Sequence, residues 1–264
     1  MEVKLLVQLI LVAAAGLALY LLIPFRPKPR RYPTSDPATV DFNTEDGKRI
    51  VADYYPGATS RGALLVHMMP RTRESWKYLA YQLQARGYHA LAIDLHGHGA
   101  STGGPDTYRS FSDREHQESL LDLQAGVKYL AAQGVSSEDL IVIGASIGAN
   151  LALWLLVDQP RVRQAVLLSA GLEYKGIKAR ELVRDLTPGQ RILLFSSADD
   201  DRSGGNNAEA NRMLESLTPK GVATELIVYQ NAGHGSDILE TTEQPNPTQA
   251  ILTWLAAGDT KKNK

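Results

Sequence analysis

The chain has 264 residues, 44% hydrophobic and 22% charged, with 22 Gly, 13 Pro and no Cys. These proportions exclude collagen-like, low-complexity and wholly disordered chains, and the missing cysteines exclude a disulfide framework, a Cys-ligated metal and a Cys nucleophile. Its 28 Lys and Arg balance 29 Asp and Glu to a net charge of -1, with no basic stripe in the body to suggest nucleic acid as a partner.

Residues Leu5 to Ile23 are apolar apart from Gln8, Gly16 and Tyr20. Nineteen residues of helix would span roughly 28 Å, close to the hydrocarbon core of a bilayer. The expectation is a membrane anchor over residues 1–24, because a cleaved signal peptide has a shorter apolar stretch of about 7–15 residues. A packed helix is the third reading. Arg26, Lys28, Arg30 and Arg31 follow the apolar run while Lys4 precedes it. The positive-inside rule then puts the following domain in the cytoplasm. Residues 25–38, with Pro27, Pro29, Pro33 and Pro37, read as an extended linker.

Residues 39–258 read as one domain, and 259–264 as a polar tail. Thr39–Phe42 and Arg49–Tyr55 read as strands joined by an Asp46-Gly47 turn. Blocky apolar strands are expected at 63–67, 89–95, 140–144, 162–169, 191–197 and 223–229. Helices are expected at 75–85, 112–133, 147–158, 179–186, 208–217 and 248–256. This alternation implies an α/β fold: a mostly parallel sheet of about eight strands between helices, with chemistry at the carboxyl ends of the strands.

The sharpest motif is Gly144-Ala145-Ser146-Ile147-Gly148, between the strand Ile141-Val142-Ile143 and a helix. A serine on a tight strand-to-helix turn stands clear of the backbone, and the helix N-terminus offers N–H groups to a developing oxyanion. Serine needs a base. His234, in the loop Ala232-Gly233-His234-Gly235, is the histidine that follows Ser146. A carboxylate should orient that imidazole, and Asp199, Asp200 and Asp201 after the preceding strand all qualify by spacing. The oxyanion donors expected are the amides of Ile147 and of Met68 or Met69, since Pro70 has none. Asp94-Leu95-His96-Gly97-His98 also spaces two imidazoles and a carboxylate as metal ligands are spaced, but no further ligands are grouped with it, so it reads as a Gly-rich connection.

Together these motifs resemble the α/β-hydrolase superfamily, over roughly residues 39–257. The stretch Asp94 to Ser101 is similar to that family's D-x-R-G-H-G-x-S, with His96 in place of the arginine. The resemblance implies Asp200 as the acid, because Ser197 and Asp200 align with the family's G-x-x-D, and Met69 as the second oxyanion donor. Residues 169–176 resemble the dienelactone hydrolases. Gly171 to Gln190 is only 20 residues, too few for a lid domain, which leaves an open site with residues 99–111 as partial cover. The expected enzyme is a serine esterase acting on carboxylic esters or thioesters through Ser146, His234 and Asp200, with no cofactor or metal. The alternatives are a peptidase or amidase with the same triad, or a non-catalytic binding protein. The small-molecule partner is an ester; oligomeric state is not readable.

Overall fold

The computed structural model describes residues 31–202 and 205–262. Eight strands form one sheet: β1 (Ala38–Asn43), β2 (Arg49–Tyr55), β3 (Gly62–Val66), β4 (His89–Ile93), β5 (Leu140–Ala145), β6 (Gln164–Leu168), β7 (Arg191–Ser197) and β8 (Ala223–Tyr229). Their order is β1-β2-β4-β3-β5-β6-β7-β8. β2 pairs antiparallel with β1 and β4, and the remaining pairs run parallel. The eight-stranded, mostly parallel sheet expected from the alternation is therefore present.

Why the central strands are continuously apolar is visible in their packing. Leu64 and Val66 of β3 face one side of the sheet, Ala63 and Leu65 the other; Val142 of β5 opposes Ile141 and Ile143 in the same way. Because successive side chains point to opposite faces, a strand covered on both must be apolar at every position. The helices α2 (Asp113–Ala132), α3 (Ile147–Asp158) and α4 (Ala179–Leu182), with α5 (Asn207–Leu217), contribute to the first layer. The helices α1 (Lys77–Gln84) and α6 (Pro247–Lys262) contribute Leu79, Leu83, Ile251 and Trp254 to the second.

Local signals explain most boundaries. Ser112 caps α2 by accepting from the Glu115 N–H, and the Glu115 carboxylate accepts from the Ser112 N–H in return, a capping box. The helical stretch before α1 begins as a 3-10 turn over Arg73–Trp76, where the Arg73 N–H donates to Asp94 Oδ1. Residues 31–37 form no regular element and bond along α1: the Tyr32 N–H donates to the Ala85 carbonyl, and the Tyr81 hydroxyl to Asp36.

The expected membrane-spanning helix, and the single-pass membrane localisation resting on it, are corrected. Among the described residues no helix is long and apolar enough to cross a membrane. α2 has the length, but Asp113, Arg114, Glu115, Glu118, Asp122 and Lys128 on it forbid burial in hydrocarbon. Residues 1–24, which carried the expectation, lie outside the described residues, so neither the anchor nor the cytoplasmic placement is retained.

Candidate active site

β5 runs into a turn at Ser146, whose φ of 54° and ψ of -119° lie outside helix and strand, and α3 starts at the next residue. Such a backbone is costly for a non-glycine residue and persists only where its surroundings enforce it. They do so here. A Cβ on Gly144 would lie 2.0 Å from the Gly148 carbonyl oxygen, and one on Gly148 would lie 2.4 Å from that of Val66. The Ser146 N–H donates to the Leu168 carbonyl at 2.8 Å, and its own carbonyl accepts from the N–H groups of Ala149 and Asn150. The turn is thus clamped between β6 and the first turn of α3, at the carboxyl end of β5.

At the ends of β7 and β8, His234 Nδ1 lies 2.6 Å from Asp200 Oδ2, with both residues almost fully buried. A carboxylate partner makes Nδ1 the protonated nitrogen, which leaves the Nε2 lone pair free. The neighbouring aspartates do other work. Asp199 accepts from the Ser197 hydroxyl and from the Gly233 N–H, and the Ser197 hydroxyl in turn accepts from the Ala232 N–H at 2.8 Å. The Ser197 hydrogen bond holds the Asp199 carboxyl below the usual carboxylate range. Asp201 accepts from Asn206 at 2.8 Å. One aspartate therefore faces the imidazole, one braces the loop that carries it, and one belongs to the approach to α5.

The third component is the loop after β3. Its histidine, His67, is completely buried, and its Nε2 accepts from the Leu95 N–H at 3.0 Å. That makes Nδ1 the protonated nitrogen, which donates to the Met68 carbonyl at 3.0 Å. Burial pushes the His67 imidazole down to about 4, so it stays neutral. The loop is tied at this point to the end of β4. Among the described residues neither the Met69 nor the Ile147 N–H donates to a main-chain carbonyl outside regular elements. Met68 is buried and Met69 partly buried. The His234 loop closes on both neighbours: a Cβ on Gly235 would meet Met68 Sδ at 2.3 Å and Ala145 Cβ at 3.6 Å, and the Gly235 N–H donates to Ser169 Oγ. The sequence-nominated residues Ser146, His234, Met69 and Ile147 thus come from segments that meet. Among the described residues Ser146 Oγ and His234 are not hydrogen-bonded to each other; in resting sites this contact commonly tightens when substrate arrives.

Several contributors were not singled out from sequence. Ser169, Ser197 and Tyr174 lie in stretches the resemblance covers, but no role was assigned to their side chains, and only tertiary contacts give them one. The Tyr174 ring stands edge-on to the His234 imidazole, with centroids 6.4 Å apart. Asn150 donates to the carbonyls of Gly171 and Ile177 and accepts from the Gly171 N–H, fastening the loop that carries Tyr174 to α3.

The Asp94 to His98 stretch is structural. Asp94 accepts from the N–H groups of Arg73 and Ala100 and pairs with the Arg73 guanidinium. His96 Nδ1 meets Asp122 at 2.8 Å, and His98 stacks on Tyr108 with centroids 4.0 Å apart. Among the described residues no group of three His, Asp or Glu side chains is arranged to hold a metal ion.

The protein family described as serine aminopeptidase, S33 (Hydrolase_4) matches residues 60–191, half of the chain. In fold, the chain is similar to the esterase Pf2001 of Pyrococcus furiosus, at 18% identity and a TM-score of 0.65, covering 88% of this chain and 97% of that one. It is similar to the esterase RhEst1 from Rhodococcus sp. ECU1013, at 19% identity and a TM-score of 0.64, covering 83% and 98%. It is also similar to an acetyl xylan esterase from Paenibacillus sp. R4, at 15% identity and a TM-score of 0.67, covering 86% and 85%. At these identities the likeness is one of fold. No curated protein matches the chain significantly in sequence.

Proposed function

Because this chain belongs to the Hydrolase_4 (serine aminopeptidase, S33) family, and so is a hydrolase of the α/β-hydrolase superfamily, we propose that it cleaves carboxylic esters or thioesters through an acyl-enzyme on Ser146. The observation that carries this reading is the 2.6 Å contact between Asp200 and His234 Nδ1, on a loop packed against the Ser146 turn. His234 Nε2 takes the Ser146 proton as Oγ attacks the carbonyl carbon, and Asp200 stabilises the imidazolium. The amides of Ile147 and Met69 hold the tetrahedral oxyanion; each such donor is worth about 3–4 kcal/mol to the transition state. The proton on His234 then goes to the leaving alcohol or thiol. A water, deprotonated by the same imidazole, attacks the acyl carbonyl and frees Ser146.

The family description favours a second reading, release of an N-terminal residue from a peptide. That reaction needs a carboxylate to receive the substrate ammonium, whereas the groove beside Met69 is lined by Arg109, His116 and Lys175. Esters therefore rank first. A fluorophosphonate probe should label the native protein and fail on Ser146→Ala, whose ester turnover should fall by about 10⁵–10⁶-fold. Native protein that stays unlabelled would end the reading. Faster turnover of aminoacyl amides than of matched esters would transfer it to the peptidase.

A further inference from the structure

Between the oxyanion loop and the loop that follows β6 lies a groove of about 390 Å³ lined by Met69, Pro70, Tyr108, Arg109, His116 and Lys175. Two independent contacts tie it to the reacting centre. Met69 lines it, and so does Lys175, which follows Tyr174, whose ring stands edge-on to His234. The groove is built rather than incidental. Tyr174 and Ile177 exchange two main-chain hydrogen bonds, so Lys175 and Gly176 form a two-residue turn with φ of 52° and 74°. Gln117 Nε2 donates to the Lys175 carbonyl at 3.2 Å, and Asn150 holds the base of the turn. Lysine is an unfavourable choice for a left-handed position that Asn or Gly fills more easily.

The charges along the groove are not equivalent. Arg109 is paired with Asp106 at 2.9 Å, at the exposed mouth. Lys175 makes no ion pair with any described residue. Asp113 lies near its turn, with its Cβ 3.6 Å from where a Gly176 Cβ would be, on the α2 side and outside the groove lining. Beside them His116 is 3% exposed as a residue, and its ring packs edge-on against Phe111 with centroids 5.4 Å apart. Burial and the neighbouring Lys175 push this imidazole down to about 4, so at neutral pH it is an uncharged N–H donor. A groove that pairs one cation free of ion pairs with one uncharged imidazole N–H donor matches a monoanion with several acceptor atoms.

Resting on the ester reading above, we propose that the substrate carries a carboxylate, bound in this groove by the Lys175 ammonium and the His116 N–H, with Arg109 at the mouth. A phosphate dianion would ask for a second unpaired cation. The enzyme would thus act on acidic esters, such as half-esters of dicarboxylic acids or acylated hydroxy acids.

The test compares kcat/KM for isosteric pairs with the charge on either side of the scissile bond: monomethyl adipate against methyl heptanoate, and 5-acetoxypentanoate against hexyl acetate. At least one acid should exceed its neutral partner by about tenfold, and that ratio should shrink as salt is raised from 20 to 500 mM. Lys175→Asn, which suits a left-handed backbone, should reduce the ratio to near one, and Lys175→Asp should invert it. Hydrolysis of neutral and acidic esters at equal kcat/KM in both pairs overturns this proposal and leaves the esterase reading intact. A ratio unmoved by Lys175→Asn overturns it too, as does a stronger preference for 4-acetoxybutyl phosphate than for the carboxylate. Protein that hydrolyses none of these esters overturns the esterase reading and the proposal with it.

Discussion

Three consecutive aspartates at the end of β7 show how much one residue's direction decides. Asp200 faces His234, Asp199 grips the Ser197 hydroxyl and the Gly233 N–H, and Asp201 turns to Asn206. Strand spacing alone does not separate them, because the turn after the strand, and not the pleat, sets where each carboxylate points. The expected kinetics differ accordingly. Asp200→Asn should cost about 10⁴-fold in kcat through loss of the correct imidazole tautomer. Asp199→Asn should cost about tenfold or less, by loosening the His234 loop, and Asp201→Asn should stay within about twofold. Side-by-side ester kinetics of the three check this, and a collapse in Asp201→Asn matching that of Asp200→Asn would contradict it.

Elements were the most legible scale, since their apolar periodicity is written in consecutive residues. The strands Arg49–Tyr55, Arg191–Ser197 and Ala223–Tyr229 and the helix Ile147–Asp158 have the ends that the pattern suggests. Others shift by a turn where tertiary partners intervene. Arg73 opens a 3-10 turn because Asp94, in the loop that follows β4, holds its N–H and its guanidinium. The 3-10 turn Gly235–Glu240 that follows His234 has no apolar period to reveal it. The Ser146 turn belongs to this scale as well, since two elements crowd it. Gly148→Ala, whose Cβ meets backbone oxygen at 2.4 Å, should cost about 3 kcal/mol and lower Tm by about 6–12 °C. Gly205→Ala, which meets nothing within 4 Å, should stay within about 0.5 kcal/mol. Thermal melts of both variants against the native protein decide the matter.

At the scale of the whole molecule, burying histidines as neutral groups makes stability depend on acid. Burial is the first cause that pushes His67 to about 4, His98 to about 3 and His116 to about 4. In the unfolded chain each takes a proton near pH 6.5. Below that value the unfolded state binds more protons than the folded one, so stability is full above about pH 6.5 and declines as pH falls. The decline levels off below about pH 3–4, where the folded state is protonated as well. Each histidine contributes at most about 1.4 kcal/mol per pH unit inside that window. Urea midpoints at pH 7.5, 6 and 5 should fall in step, and His98→Gln should flatten the slope. Equal midpoints at pH 7.5 and 5 would show that these imidazoles are not held neutral.

The sequence by itself determined the layered α/β architecture and the strand-to-helix position of Ser146. Both are encoded in neighbouring residues: apolar runs covered on two faces, and glycines flanking a turn too tight for a Cβ. Only the tertiary structure decided what Asp199 and Asp201 do beside Asp200, and that Met69, His116 and Lys175 share one groove. The groove residues are far apart along the chain, and all these side-chain directions follow from packing between elements, which no local pattern records.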